Sequence, residues 1–255
     1  SNPSLWGKLN YAIRYLFYSK EGIFSTPVNV CSKFIVVFII FGAFLERTGI
    51  ADFFIQCANA LAGWATGGPA KVAVISSALC GMVSGSSVGN TVTTGAITIP
   101  LMKKTGYPGE FAGAVEAAAS TGGQIMPPIM GAAAFLMADY VQLPYSQIAV
   151  KAILPAVLYF AGIFVAVHLE AKKLGLRGLS KEELPRVKPL LKQLYLLAPL
   201  VLLVYLVGTS QRSIQYAAAL AIVAAILVSL FNKGNRITPR RILEALAAGG
   251  QGTIT

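Results

Sequence analysis

One stretch of the sequence is rich in neutral oxygen-bearing side chains and contains no charge. Ten of the twelve residues from Ser84 to Gly95 are Gly, Ser, Thr or Asn, and the surrounding window, residues 72–102, contains no Asp, Glu, Lys or Arg. Hydroxyl, amide and backbone carbonyl oxygens are hard ligands, which suit a small alkali cation. The stretch therefore predicts a cation site made of neutral oxygens.

A second segment, Ser120 to Gly131, combines two glycines with two prolines. Pro127 and Pro128 lack backbone N–H groups, and a residue that precedes proline is disfavoured in helical geometry. A helix that begins near Pro108 is therefore expected to break here and to restart near Pro128. Such a break leaves carbonyls at one half-helix end and amides at the other, and the positive amide end suits an anion such as a carboxylate.

Both segments also have a purely structural explanation. Gly81, Gly85 and Gly89 are spaced by four residues, and this spacing lets two helices pack closely in a membrane. Close packing alone does not require Asn90, Gln124 and the tandem prolines, so we favour a binding site and leave the packing alternative open.

Helix lengths indicate which elements position these segments. A bilayer core of about 30 Å needs about 20 helical residues, whereas residues 72–83 would rise about 18 Å, a little over halfway across. A turn at 84–91 and a return through Met102 would form a re-entrant hairpin over 72–102, and the interrupted helix would occupy 108–140. Irregular backbone at that depth must be buried in protein or face a water-filled cavity.

The composition predicts a membrane protein. Of 255 residues, 55% are hydrophobic and 12% are charged, and the mean hydropathy is +0.67. These values exclude a disordered chain and argue against an ordinary soluble domain. The formal charge of +11 comes from Lys and Arg between apolar windows, as the positive-inside rule expects, which argues against nucleic-acid binding.

The same pattern predicts a topology. Window 53–70 either spans the membrane or lies against other helices, and simple spanning helices are expected at 28–45, 152–169, 193–211 and 213–232. The basic loop 170–192 and the segment 233–241 should be cytoplasmic, and the short turn at Arg212 external. Residues 1–27 predict an interfacial amphipathic segment, with a soluble surface helix as the alternative.

The ionisable residues form no recognisable catalytic set. One histidine leaves no Ser/His/Asp triad, and three scattered cysteines show no metal-ligand spacing. Glu116 and Asp139 flank the expected break, and an interfacial position or a structural ion pair explains them as well as a function does. We therefore leave both acids out of the predicted site, and we expect no enzyme, no catalytic residue and no cofactor.

The run from Gly81 to Gly131 resembles the large permease subunit of TRAP transporters. The resemblance lies in SGSSVGNTVTTGAITIPLMKKTGYP followed by EAAASTGGQIMPPIMG, and it continues to the terminal GGQGTIT. More narrowly, the sequence is similar to the fused permeases of the TAXI subgroup. This similarity implies a polytopic all-α protein of a bacterial or archaeal inner (cytoplasmic) membrane, with a re-entrant helical hairpin and a discontinuous helix in an elevator-type inverted repeat.

The resemblance also implies a function and partners. Such permeases use a sodium gradient and accept an organic acid anion from an extracytoplasmic solute-binding protein. By similarity, residues 28–169 form a first transport repeat, 193–232 a two-helix hairpin, and 233–255 a cytoplasmic segment with the start of a second repeat. The chain would then be a fragment that works in the lipid bilayer with the remainder of the same permease.

Carried onto this sequence, the resemblance assigns ion and substrate binding to two sets of residues. The hairpin tip would supply Ser84, Ser86, Ser87, Asn90 and Thr91. The break would supply Gly122, Gly123, Gln124, Pro127 and Pro128, and sodium would bind oxygens of both sets. An ion channel or an intramembrane enzyme with Gly/Ser-rich re-entrant segments remains the alternative function.

Overall fold

The computed structural model describes residues 4–19, 21–180, 182–209, 213–232 and 234–254. Over these ranges every regular element is helical and no strand occurs, which confirms the all-α class. The helices are α1 (Leu5–Tyr18), α2 (Thr26–Arg47), α3 (Ile50–Ala62), α4 (Gly68–Ser84), α5 (Ser87–Lys104), α6 (Gly109–Gly122), α7 (Ala132–Val141), α8 (Tyr145–Lys173), α9 (Val187–Lys192), α10 (Ala198–Gly208), α11 (Ile214–Phe231) and α12 (Pro239–Ile254). A π-helical turn, Cys31–Ile35, lies within α2.

Among the described residues, three helices are long and apolar enough to cross a bilayer: α2 with 22 residues, α8 with 29 and α11 with 18. At 1.5 Å per residue they measure about 33, 44 and 27 Å, against a hydrocarbon core of about 30 Å. Their outer faces expose large apolar side chains, such as Leu154 and Leu158 of α8 and Leu227 of α11. The protein is therefore a multi-pass membrane protein, as predicted.

Two of the expected membrane-spanning helices are shorter in the structure than the sequence windows predict. Window 53–70 is only partly helical, because α3 ends at Ala62, and its residues Phe53 and Phe54 are buried against the rest of the protein. This helix therefore lies against its neighbours. The helix expected at 193–211 begins with a 3-10 turn, Leu194–Leu197, and ends at Gly208, which gives about 25 Å. Arg212 of the following turn lies outside the described residues.

The hairpin has a much tighter turn than the polar stretch predicts. Helix α4 ends at Ser84, only Gly85 and Ser86 form the connection, and α5 begins at Ser87. The prediction of a turn over 84–91 is therefore wrong. The hydroxyls in this helix are satisfied locally, since Thr93 donates to the Gly89 carbonyl and Thr94 to that of Asn90, at 2.9 and 2.8 Å, so the polar residues can be helical without leaving hydroxyl groups unbonded.

The expected interruption is present but longer. Helix α6 ends at Gly122, a 3-10 turn covers Gly123–Ile125, and residues 126–131 are non-helical before α7 starts at Ala132. The restart therefore comes four residues after Pro128. Met130 has a positive φ of 57° and Gly131 is extended, so neither can belong to a helix.

Two apolar clusters hold these elements together. One joins α2 and α3 to α7, α11 and α12, with Phe41, Phe44 and Leu45 completely or almost completely buried. The other joins α4, α5 and α6 to α8 through small residues such as Ala73 and Ala119. The hairpin and the first half of the broken helix thus pack as one unit on α8.

Candidate functional site

The hairpin tip is built by two local signals. Gly85 ends α4 with a φ of +62°, a conformation that L residues with a side chain rarely adopt. Ser86 then caps α5, because its Oγ accepts a hydrogen bond from the Gly89 N–H at 3.1 Å. The Ser86 side chain is exposed at this tip, whereas Ser84 and Ser87 are half-buried.

The tip lies directly against the break in the helix. A Cβ at Gly85 would overlap the carbonyl of Met130, and a Cβ at Gly81 would overlap the Cα of Gly123. The Gln124 side-chain amide donates to Ser87 Oγ at 3.0 Å. The structure therefore brings together the two sequence segments that were singled out for their oxygens.

The carbonyls at the break are less free than the tandem prolines suggest. Prolines at 127 and 128 remove the helical donors of Gly123 and Gln124. However, Gly123 O accepts the Met126 N–H at 3.2 Å and Gln124 O accepts the Gly131 N–H at 2.7 Å. Each carbonyl keeps a second lone pair, so both could still contact a cation.

A tyrosine that the sequence analysis overlooked holds the non-helical segment. Tyr145, the first residue of α8, is 4% exposed, and its hydroxyl lies within hydrogen-bond distance of the Ile129 carbonyl and 3.0 Å from that of Pro128. A hydroxyl has one proton, so it donates to one of these carbonyls at a time. Its spacing of 17 residues from Pro128 gives no recognisable sequence signal.

An open groove of about 810 Å³ runs beside the tip and the break. One wall is α2, with Phe38 and Glu46, and the C-terminal part of α12 closes another side. From the predicted site, Ser84, Ser86 and Gln124 line the groove, together with the first residues of α7. The N-terminus of α7 and several neutral oxygens therefore border one space.

Asn90 lies deeper than the tip. It is 1% exposed, and its amide nitrogen donates to the Ser77 carbonyl at 2.8 Å. Its Oδ1 is buried and accepts no hydrogen bond from the part of the chain that the structure describes. Asn90 also lines a small second cavity, with room for about one water molecule, that Glu46, Ser84 and Thr93 border.

The remaining predicted residues lie further from the groove. The Thr91 hydroxyl donates to the Ser87 carbonyl at 2.9 Å, within its own helix. Gly122 is buried where α6 meets α8, and a Cβ added there would lie too close to the rings of Tyr159 and Phe160. Pro127 and Pro128 are half-buried and shape the segment that the tip contacts.

Glu116 corrects the sequence analysis. It is completely buried, so it has no interfacial position, and within the described residues it forms no salt bridge. Hydroxyls of Ser77, Thr94, Thr98 and Ser120 surround its carboxylate. The sequence contained one indication of this site, because Thr94 and Thr98 are one helical turn apart and therefore lie on the same face of α5. Asp139 is exposed near the end of α7, as a helix-end acid would be.

Comparison with known proteins identifies the family. The chain is 26% identical over 231 residues to the C4-dicarboxylate TRAP transporter large permease protein DctM of Pseudomonas aeruginosa, which covers 88% of this chain and 54% of that protein. It is 30% identical over 155 residues to the corresponding DctM of Vibrio cholerae, covering 61% of this chain and 33% of that protein. The sialic acid TRAP transporter permease protein SiaT of Haemophilus influenzae is 25% identical over 170 residues, or 67% of this chain and 26% of SiaT.

The chain thus spans about half the length of the Pseudomonas relative and less of the others. The family profile "Tripartite ATP-independent periplasmic transporter, DctM component" matches residues 19–255. This match includes the hairpin, the broken helix and the groove between them. The chain therefore belongs to the DctM component family of tripartite ATP-independent periplasmic transporters.

Proposed function

We propose that this chain forms part of the permease of a sodium-coupled TRAP transporter that imports an organic acid anion. The observation that carries the proposal is the contact between the hairpin tip and the break beside a groove of about 810 Å³. An extracytoplasmic solute-binding protein would deliver the anion, and the remainder of the permease would complete the groove. The complex would work in the inner membrane of a bacterium or archaeon.

Neutral oxygens beside the groove support the cation part of the proposal. The unpartnered Asn90 Oδ1 is an acceptor buried from water, and such a group costs free energy unless a donor or a cation satisfies it. Glu46 borders the same small cavity, so a cation there would also face a carboxylate. We place the sodium ion between Asn90 and the tip residues Ser84 and Ser86.

The start of α7 supports the anion part. This ten-residue helix begins at Ala132, and no side chain caps it. The Ala134 N–H already donates to the Gly131 carbonyl at 3.0 Å, so the N–H groups of Ala132 and Ala133 are the ones available to an acceptor at the positive end of the helix dipole. Because Ala132 and Ala133 line the groove, a carboxylate of the substrate could bind there without an arginine or lysine from this chain.

Uptake of radiolabelled organic acid into proteoliposomes tests the proposal, with the complete permease, its binding protein and a sodium gradient. Asn90→Ala should raise the sodium concentration for half-maximal uptake by about fivefold to a hundredfold, because one lost ligand costs about 1–3 kcal/mol. Ser86→Gly should act in the same direction, since glycine keeps most of the helix-capping effect and removes only the hydroxyl.

Ser213→Ala is the matched control. Ser213 caps α11 in the same way that Ser86 caps α5, with its Oγ 3.3 Å from the Tyr216 nitrogen, but it lies outside the groove. It should leave the sodium dependence unchanged. Uptake at the same rate with and without a sodium gradient would overturn the proposed coupling. Sodium flux in the absence of substrate would indicate a channel instead.

A further inference from the structure

The buried carboxylate of Glu116 has a setting that the proposed sodium and anion sites do not explain. It projects from the middle of α6 into the contact with α4 and α5, and it is 0% exposed. Ser77 of α4 donates to Oε1 at 2.8 Å, Ser120 donates at 3.1 Å, and Thr94 also contacts Oε1. Thr98 donates to Oε2. Three helices thus meet at one acid.

Among the residues that the structure describes, this carboxylate has no counter-ion. The titratable groups on the helices around it are Lys71 and Cys80 of α4, Lys103 and Lys104 of α5, and Tyr145, Lys151, Tyr159, His168, Glu170, Lys172 and Lys173 of α8. Within the described residues, no Lys, Arg or His nitrogen lies within 4.0 Å of Glu116. Glu110, the other acid of α6, is exposed six residues earlier. A buried charge is normally paired, bound to a cation, or neutralised by a proton.

The hydroxyl cage can satisfy either protonation state. Thr94 Oγ1 lies 2.8 Å from the Asn90 carbonyl, and Thr98 Oγ1 lies 3.0 Å from the Thr94 carbonyl, in addition to their contacts with Glu116. When Glu116 is ionised, both threonines can donate to it. When it is protonated, it can donate to one threonine oxygen, whose own hydrogen then turns to the helix carbonyl. Apart from the added proton, the two arrangements differ only in the rotation of the hydroxyl groups.

The volume available around Glu116 distinguishes a proton from a metal cation at this position. A Cβ added at Gly95 would lie 3.0 Å from Glu116 Cγ, so the backbone of α5 approaches the acid closely. Glu116 lines neither the large groove nor the small cavity beside Asn90. A proton needs no additional volume, whereas a cation would have to push apart three helices that pack closely.

We propose that Glu116 is a proton-binding site at the centre of the hairpin and broken-helix unit. The carboxylate takes a proton from solvent to form a carboxylic acid and returns it to solvent, and no other bond changes. Because Ser77, Thr94 and Thr98 belong to the two hairpin helices, protonation changes the hydrogen bonds that join the hairpin to α6. Glu116 contacts no residue of the proposed sodium and anion positions directly, but Ser77 and Thr94, which contact it, are also hydrogen-bonded to Asn90.

Infrared difference spectroscopy of the purified full-length permease tests the site directly, without substrate or sodium. On acidification every carboxyl group that takes up a proton contributes to the carbonyl stretching band, and the wild type should show a component that shifts only slowly in heavy water, because Glu116 is closed to solvent. Glu116→Gln should lose that component. Asp139→Asn is the matched control, because it removes an exposed acid from the other half of the broken helix and should keep the component. The same slowly shifting component in the wild type and in Glu116→Gln would overturn the proposal.

A second pair of variants keeps the test valid if Glu116→Gln does not fold. Thr98→Val removes a hydroxyl that contacts the carboxyl group and should shift the frequency of that component, whereas Thr98→Ser keeps the hydroxyl and should leave the frequency unchanged. A component whose frequency is the same in Thr98→Val and in the wild type would show that another acid titrates. Since this measurement involves no transport, its failure would leave the proposed function untouched.

Discussion

Two glycines face each other where the hairpin packs against the broken helix. Gly81 of α4 faces Gly123, and a Cβ on either would overlap backbone atoms of the other segment. No rotamer change can relieve an overlap with backbone, so the two segments would have to move apart. The small-residue spacing that the sequence analysis treated as an alternative to binding therefore also operates here, because the packing sets the position of the tip.

We predict that Gly81→Ala destabilises the protein by about 1–3 kcal/mol, as overpacking of a tight contact does. Gly113→Ala is the matched control, because Gly113 is also helical and a Cβ there would meet nothing within 4 Å. It should be neutral or stabilise by up to about 1 kcal/mol, the helix propensity difference between the two residues. Denaturant unfolding in detergent measures both, and equal stability of the two variants would contradict the packing argument.

Glu183 provides a pH-dependent contact in the loop that follows α8. The Ser180 backbone N–H and hydroxyl both donate to its carboxylate at 3.1 Å, and they lower the pKa of Glu183 below its usual 4.5. A carboxyl group with a lowered pKa stabilises the folded loop above its unfolded pKa and loses this effect as the pH falls through its folded pKa. The loop should therefore loosen only in acid.

We predict that the Ser180 amide is protected from exchange at neutral pH, relative to its intrinsic rate at the same pH, and that it loses this protection as the pH falls through the lowered pKa of Glu183. Hydrogen exchange with mass spectrometry measures this change. Glu183→Gln should lose the protection already at neutral pH, whereas the neighbouring Glu182→Gln should behave as the wild type. Identical exchange in Glu183→Gln and in the wild type would remove Glu183 from the contact.

At the scale of the elements, the sequence predicted the interruption better than the hairpin turn. Two adjacent prolines act locally, since they remove donors whatever the surroundings, so the break near residue 127 was predictable. The helical state of residues 87–95 was not, because Gly, Ser and Thr prefer turns in isolation. It depends on the packing of α5 against α4 and α6, which the composition does not reveal.

The non-helical segment between α6 and α7 depends on one side chain of α8. Tyr145→Phe keeps the ring, whose centroid lies 4.4 Å from that of Phe135, and removes only the hydroxyl. We predict a loss of about 1–3 kcal/mol, because a buried carbonyl of Pro128 or Ile129 remains without a donor. Tyr159→Phe, which removes an exposed hydrogen bond of 2.9 Å to Ala118, should cost less. Equal losses would show that Tyr145 does not hold the break.

At the scale of the whole molecule, composition and charge predicted a membrane protein, but they did not reveal every residue of its internal polar site. The resemblance read from Gly81 to Gly131 is confirmed by the family profile over residues 19–255, and this family consists of transporters rather than enzymes. The burial of Glu116 results from the tertiary packing of α4, α5 and α6, and the spacing of Thr94 and Thr98 was an indirect signal of it that does not show on its own which acid they contact. The domain boundaries and the orientation in the membrane stay predictions.

The orientation can be tested with the loops on either side of α10. Single cysteines at Ser180 and Ser213, in a chain whose three natural cysteines are replaced, should react differently with a membrane-impermeant maleimide on intact cells. Ser213→Cys should be labelled, since it follows the turn at Arg212, and Ser180→Cys should react only after permeabilisation, since it lies among seven cations of the loop 170–192. Labelling of Ser180→Cys on intact cells would show that the topology is the reverse of the predicted one. It would also move the hairpin tip to the other side relative to the face from which the proposed solute-binding protein would approach.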